Sequence, residues 1–134
     1  MSASRSSFVR KVLIADAAIS GATGLLMFVG SGFLEALLGV PAMLLRYAGF
    51  SLLPFALVVT WVAGREQLPR GAVWAVIAAN ALWAIDSIVL LFTGWVAPTM
   101  LGYAFIVFQA VVVAAFAELQ YVALRRSLPR AASL

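Results

Sequence analysis

Histidine and cysteine are absent from this chain of 134 residues. Their absence excludes disulfides, zinc sites of the usual nitrogen–sulfur type, haem ligation through His or Cys, and nucleophilic catalysis built on either residue. Charge is nearly as scarce, at 10% of residues, against about 25% in an ordinary soluble domain. Neither the phosphate loop G-x-x-x-x-G-K-[ST] nor the dinucleotide pattern G-x-G-x-x-G occurs. The few acids Asp16, Asp86 and Glu118 fall at different depths along the chain, so no paired-carboxylate acid/base site is indicated. Acid-rich and His-rich metal motifs are missing too. No enzyme, cofactor or metal site is expected.

What remains is apolar: 65% hydrophobic, with a mean hydropathy of +1.09. Such a chain is not a water-soluble domain. One bilayer crossing takes about 20 mostly apolar residues, so the length accommodates four spans and short connectors in a single membrane domain, 1–134. The spans are expected at about 12–29, 43–63, 72–92 and 98–124. Met1 to Lys11, Ser-rich and basic, reads as a disordered or interfacial arm. Asp16 inside the first apolar stretch and the lack of an A-x-A-like site argue for an uncleaved first helix over a signal peptide. Gly30, Ser31 and Gly32 break that helix, and Phe33 to Val40 is long enough only for a short interfacial helix. Pro41 opens the second span, which carries Pro54 midway, where a kink is expected. The sequence GREQLPR, residues 64–70, forms a hydrophilic central connector.

Eight of the nine basic residues lie at the chain ends or in the central connector: Arg5, Arg10, Lys11, Arg65, Arg70, Arg125, Arg126 and Arg130. The two opposite connectors hold Glu35 and neither Lys nor Arg. By the positive-inside rule both termini and the central connector are cytoplasmic. The same distribution argues against nucleic acid as a partner, since no basic face is formed. Trp61, Trp74 and Tyr121 fall near the cytoplasmic span ends, and Tyr47, Trp95 and Tyr103 near the outer ones, as interfacial belts require. Trp83 falls mid-span, where it either packs on a neighbour or lipid, or finds a partner for its indole N–H.

Five polar residues inside the spans are candidate polar or ion-pair positions: Asp16, Arg46, Asn80, Asp86 and Gln109. An acid or base in hydrocarbon costs about 2.5–3.5 kcal/mol on insertion scales, so each requires a partner or a role. At 1.5 Å rise per residue, Asp16 lies roughly 21 Å below Gly30, and Asn80 equally far below Gly94. The two are expected to meet through a hydrogen bond. Arg46, roughly 7.5 Å deep from outside, and Asp86, roughly 12 Å deep, suit an intramembrane ion pair. Gln109 falls near the midplane. Glu118, at the inner interface, faces solvent or reaches Arg125, Arg10 or Lys11. Asp16, Ser20 and Thr23 make one polar stripe beside the small-residue spacings Ala17-x-x-x-Gly21 and Ser20-x-x-x-Gly24. That stripe reads either as glue between spans one and three or as a proton- or cation-handling carboxylate on a cavity.

The halves also echo each other. Ala15-Asp16-Ala17 running to Gly30 aligns with Ala79-Asn80-Ala81 running to Gly94, and Pro41-x-Met43-Leu44 aligns with Pro98-x-Met100-Leu101. Duplication of a two-span hairpin and chance matching of Ala- and Leu-rich helices both account for this. The fold expected is therefore an all-α membrane protein, four transmembrane helices in an antiparallel bundle, readable as two tandem helical hairpins.

In span number, Ala/Leu/Val content and basic cytoplasmic ends the chain resembles the small four-span bacterial integral membrane proteins that carry no assigned function. The resemblance implies a multi-pass protein of the bacterial inner membrane and brings no functional residues with it. In size, span number and a span-one carboxylate, Asp16, the chain is also similar to small multidrug transporters. It departs from them in carrying Asp in place of Glu, and in the additional charges Asp86 and Arg46. Two functions are expected from these features. One is a non-catalytic membrane component that assembles in the lipid bilayer with itself or with other membrane proteins. The other is a small transporter or channel using Asp16 and the Arg46/Asp86 region.

Overall fold

A computed structural model describes residues 3–126; Arg130, one of the basic flanks counted above, lies outside the described residues. Five helices follow one another: α1 Ala3–Val29, α2 Ser31–Leu38, α3 Ala42–Ala63, α4 Arg70–Thr93 and α5 Met100–Arg126. Helices α1, α3, α4 and α5 are each long and apolar enough to cross a membrane, and there is no strand among the described residues. The molecule is an all-α bundle. Helix α1 packs along α3 and α4 along α5, as two antiparallel hairpins. Helix α1 also packs on α5 and joins the hairpins, whereas α3 and α4 touch only slightly.

The breaks come from residues that cannot continue a helix. Gly39 (φ 70°) closes α2 and Gly94 (φ 79°) closes α4, both in the left-handed region that glycine enters without a Cβ penalty. Pro41 and Pro69 precede α3 and α4, where a missing N–H costs nothing. Helix α3 continues unbroken through Pro54. Thr99 caps α5: its Oγ1 accepts the Gly102 N–H at 3.1 Å and donates to Leu37 O at 2.9 Å, while its own N–H donates to Leu38 O at 2.9 Å. That cap starts α5 two residues after Pro98.

The first helix starts earlier than the basic N-terminal sequence implies. Residues expected to form an arm are helical from Ala3, because Val9 and Leu13 are completely buried among Val59, Val62, Val73 and Leu124. Arg10 fixes the same turn by donating to Ala63 O, to Arg65 O at 2.6 Å and to Glu66 O at 3.5 Å. These are carbonyls at and just past the C-terminus of α3, which that helix cannot satisfy itself. At the opposite end of α3, Glu35 of α2 accepts the Ala42 N–H at 2.7 Å. Helix α3 therefore has an anion at its N-terminus and a cation at its C-terminus, both lent by other helices, which is the sense its dipole favours.

The basic end, where the start of α1, the end of α5 and the α3–α4 connector meet, is filled by one apolar cluster that includes Val9, Leu13, Val59, Val73 and Leu124. A second cluster, with Met27, Leu34, Leu38, Leu45 and Ile106, fills the α2 end. Outward-facing side chains are apolar as well: Leu57 is 73% and Phe108 70% exposed. Asp16 and Gln120 are 0% exposed. Apolar groups outside and polar groups inside is the distribution expected when hydrocarbon surrounds the bundle.

Candidate functional site

On α1 the buried stripe runs Val9, Leu13, Asp16, Ala17 and Ser20, the spacing of one helical face. On α4 it runs Val73, Val76, Ile77, Asn80 and Ala84; on α5 it includes Ala117, Gln120 and Leu124. Asp16, Asn80 and Gln120 thus occupy core positions on three different helices, where an apolar residue would ordinarily stand. They converge. Asn80 Nδ2 donates to Asp16 Oδ2 at 2.7 Å, and Gln120 Nε2 donates to the same oxygen at 2.7 Å. Asn80 Nδ2 also donates to Gln120 Oε1 at 3.0 Å, which closes the ring. Ser20 Oγ, one turn along α1, donates to Asp16 Oδ1 at 3.0 Å. A carboxylate only accepts hydrogen bonds, and here both of its oxygens face donors. No buried side-chain nitrogen or oxygen among the described residues lacks a partner.

The expected Asp16–Asn80 contact is therefore present as a hydrogen bond, and a third helix contributes to it. Gln120 is a ring member not named among the sequence candidates; counted from the outer span ends, it lies deeper than Asp16 and Asn80. Thirteen residues separate Asp16 from Val29 and Asn80 from Thr93, but twenty separate Gln120 from Met100. Counting from the basic end finds it: Asp16 follows Lys11 by five residues and Gln120 precedes Arg125 by five. The outer count fails because α5 starts against the end of α2, through the Thr99 contacts, and not level with the end of α1.

Gln109 does not join this ring. Its Oε1 accepts the Trp83 indole N–H at 2.8 Å and its Nε2 donates to Ile106 O at 2.8 Å. Trp83 thus has a specific polar partner mid-span. Ser87 Oγ donates back to Trp83 O at 2.7 Å. Trp83, Ser87 and Gln109 line a crevice of about 450 Å³ in the α2-end half, walled by Met27, Leu45 and Ile106. Asp86 lines the same crevice and has no hydrogen-bond or ion-pair partner among the described residues. None of Asp16, Ser20, Asn80 and Gln120 lines it.

The Arg46–Asp86 ion pair expected within the chain does not form among the described residues. Arg46 donates to Ser31 Oγ at 3.3 Å, on the side of α3 that meets α2, while Leu44, Leu45 and Ala48 present the side of α3 that meets the crevice. The pairing fails because α3 and α4 belong to different hairpins and barely touch. Residues at matching depth on chain-adjacent helices need not be neighbours in space.

Comparison with known proteins gives no relative. No family model matches the chain, and neither a curated protein nor a solved structure does. The reading of the site therefore rests on its geometry.

The basic end carries the aromatic contacts of an interface. Trp74 and Tyr121 meet edge to face at 5.5 Å, Arg125 donates to the Tyr121 hydroxyl at 2.9 Å, and Arg65 lies 5.0 Å from the Trp61 ring centre. Arg125 thus turns to Tyr121, where the sequence also allowed it to reach Glu118. Among the described residues no group of three or more His, Cys, Asp or Glu side chains is placed to hold a metal.

Proposed function

We propose that this chain is a non-catalytic integral component of the bacterial inner membrane, crossing it four times with both termini in the cytoplasm, and that it acts by assembling with itself or with other membrane proteins. The observation that carries this reading is the closed, buried ring of Asp16, Asn80 and Gln120. Each of its polar groups has a packing role: the ring ties α1, α4 and α5 together in a medium where a carboxylate without donors would be very costly. A transporter needs its central carboxylate to meet water or substrate, and Asp16 is 0% exposed. The small four-span bacterial proteins that the sequence resembles supply the membrane, and the Lys and Arg distribution supplies the orientation.

A cysteine scan along α1 tests the proposal, and the native chain contains no cysteine to interfere. Single cysteines from Leu13 to Met27 are expected to resist a water-soluble maleimide uniformly. Labelling at Ala17, Ser20 and Thr23 alongside protection of Ala18 and Ala22 would reveal an aqueous path on the Asp16 face. The second reading, a small transporter or channel, would then replace the first. Its present support is the crevice that holds Asp86, Ser87 and Gln109, which stops short of Asp16.

A further inference from the structure

Besides Glu35, whose carboxylate accepts the Ala42 N–H at the start of α3, two charges at the α2 end of the bundle stand without an ion-pair partner among the described residues. Asp86, seven residues before the end of α4, and Arg46, four residues into α3, both lie in that third of the molecule and are both exposed. Their depths differ by roughly 4–5 Å at the helical rise, well within the reach of an arginine side chain. Asp86 opens onto a crevice whose walls are otherwise largely apolar, with no cation among the described residues that line it. Arg46 spends one contact, at 3.3 Å, on the Ser31 hydroxyl, and a guanidinium carries five N–H donors. Arg46 is also the one basic residue remote from the basic end. Left apart in hydrocarbon, both charges are costly.

We infer that Asp86 is neutralised by Arg46 of a second copy of this chain, which seats its Arg46 face against the crevice between α3 and α4. Charge complementarity selects the occupant. Within the long helices at this end, each copy brings one cation, Arg46, and one anion, Asp86, at nearly the same depth, so association of like chains neutralises both with no third component. The two charges stand on different faces, Arg46 toward α2 and Asp86 in the crevice. The contact is consequently head-to-tail, and it repeats to close a ring or extend a row. The inference rests on reading the chain as an assembling membrane component, and it names the surface and the partner.

The test uses the full chain in native membranes and in nanodiscs. A chain carrying both Met43→Cys, one turn from Arg46, and Leu90→Cys, one turn from Asp86 on the crevice wall, keeps both charges. Oxidised with copper phenanthroline, it is expected to give a ladder of dimers and higher species on a non-reducing gel. Either single variant alone stays monomeric, and a mixture of the two singles stops at dimers. A disulfide closed within one chain would overturn the inference, as would a double-cysteine ladder that stops at dimers or cross-linking by either single variant alone. Charge exchange is the second measurement. Arg46→Asp or Asp86→Arg alone is expected to weaken association about tenfold or more, and the double exchange to restore it; failure of the double to recover would overturn the pairing. A chain that assembles without cross-linking at this pair would sink the interface and leave assembly standing. A chain monomeric at every protein-to-lipid ratio would sink self-assembly as well.

Discussion

At the scale of single residues, Asp16 is the group on which most depends, and two substitutions separate its roles. Asp16→Ala removes the acceptor shared by Ser20, Asn80 and Gln120; Ser20 Oγ and Gln120 Nε2 lose their acceptor, and Asn80 keeps only Gln120 Oε1. A buried polar group left unsatisfied costs roughly 1–3 kcal/mol, although hydrogen bonds inside membrane proteins average only about 0.6 kcal/mol. A loss of about 2–4 kcal/mol is expected, measured by unfolding in graded denaturing detergent. Asp16→Asn should cost less than about 1.5 kcal/mol. The amide oxygen can face Asn80 and Gln120, its NH₂ can face Ser20 Oγ, and a hydroxyl exchanges donor for acceptor by rotation. Equal losses for the two variants would show that the ring contributes nothing specific. In a double-mutant cycle, Asn80→Ala and Gln120→Ala should couple by about 0.5–2 kcal/mol, since each alone breaks the same ring.

At the scale of elements, α3 shows how a helix can be completed by its neighbours. Its first residues offer no side-chain cap and its last turn no basic residue; Glu35 and Arg10 supply both from α2 and α1. Glu35→Ala should destabilise by about 0.5–1 kcal/mol and Glu35→Gln by less, because the amide keeps an acceptor. Arg10→Met should cost about 1–2 kcal/mol, the half-buried guanidinium being the partner of several carbonyls. Thermal unfolding of the purified variants checks both. Helix approach gives a sharper prediction. A Cβ on Gly49 would lie 2.6 Å from Gly24 O and 2.8 Å from Phe28 N, so α1 and α3 meet backbone to backbone. Gly49→Ala must push the pair apart and is expected to cost about 1–3 kcal/mol, with Gly49→Leu worse. Gly102→Ala should act similarly, because its Cβ would strike Leu38 O, where α5 abuts α2.

For the whole molecule the governing fact is the division into two hairpins, α1 with α3 and α4 with α5, sewn together by α1–α5 contact and the polar ring. The slight contact between α3 and α4 leaves the crevice at the α2 end. Loss of the ring should therefore loosen one hairpin against the other before either comes apart. In Asp16→Ala, backbone amides of α4 near Asn80 should gain hydrogen exchange more than those of the α1–α3 seam around Gly24 and Gly49. Uniform gain over all four long helices would show that the bundle opens as one unit.

Helix α2 begins at Ser31 and ends before Gly39, whereas the sequence places a break over Gly30, Ser31 and Gly32 and a short helix over 33–40. The four long apolar helices, the break at Gly30, the start of the second span at Pro41 and the intramembrane place of Asp16 and Asn80 are legible in the sequence. Each of these follows from local properties: run length, the conformational reach of glycine and proline, and the cost of a polar group in lipid. Which helices are neighbours is set by the packing of the folded chain. Arg46 and Asp86 match in depth and charge yet stand apart within the chain, and Gln120 sits at the ring although it lies twenty residues from the start of α5, against thirteen from Asp16 to the end of α1. Hydropathy fixes how deep a residue lies along the membrane normal but carries no information about lateral order. In this chain that order is set by close backbone approach at Gly24 and Gly49, by the seat of α5 on α2, and by hydrogen bonds between residues up to 104 positions apart.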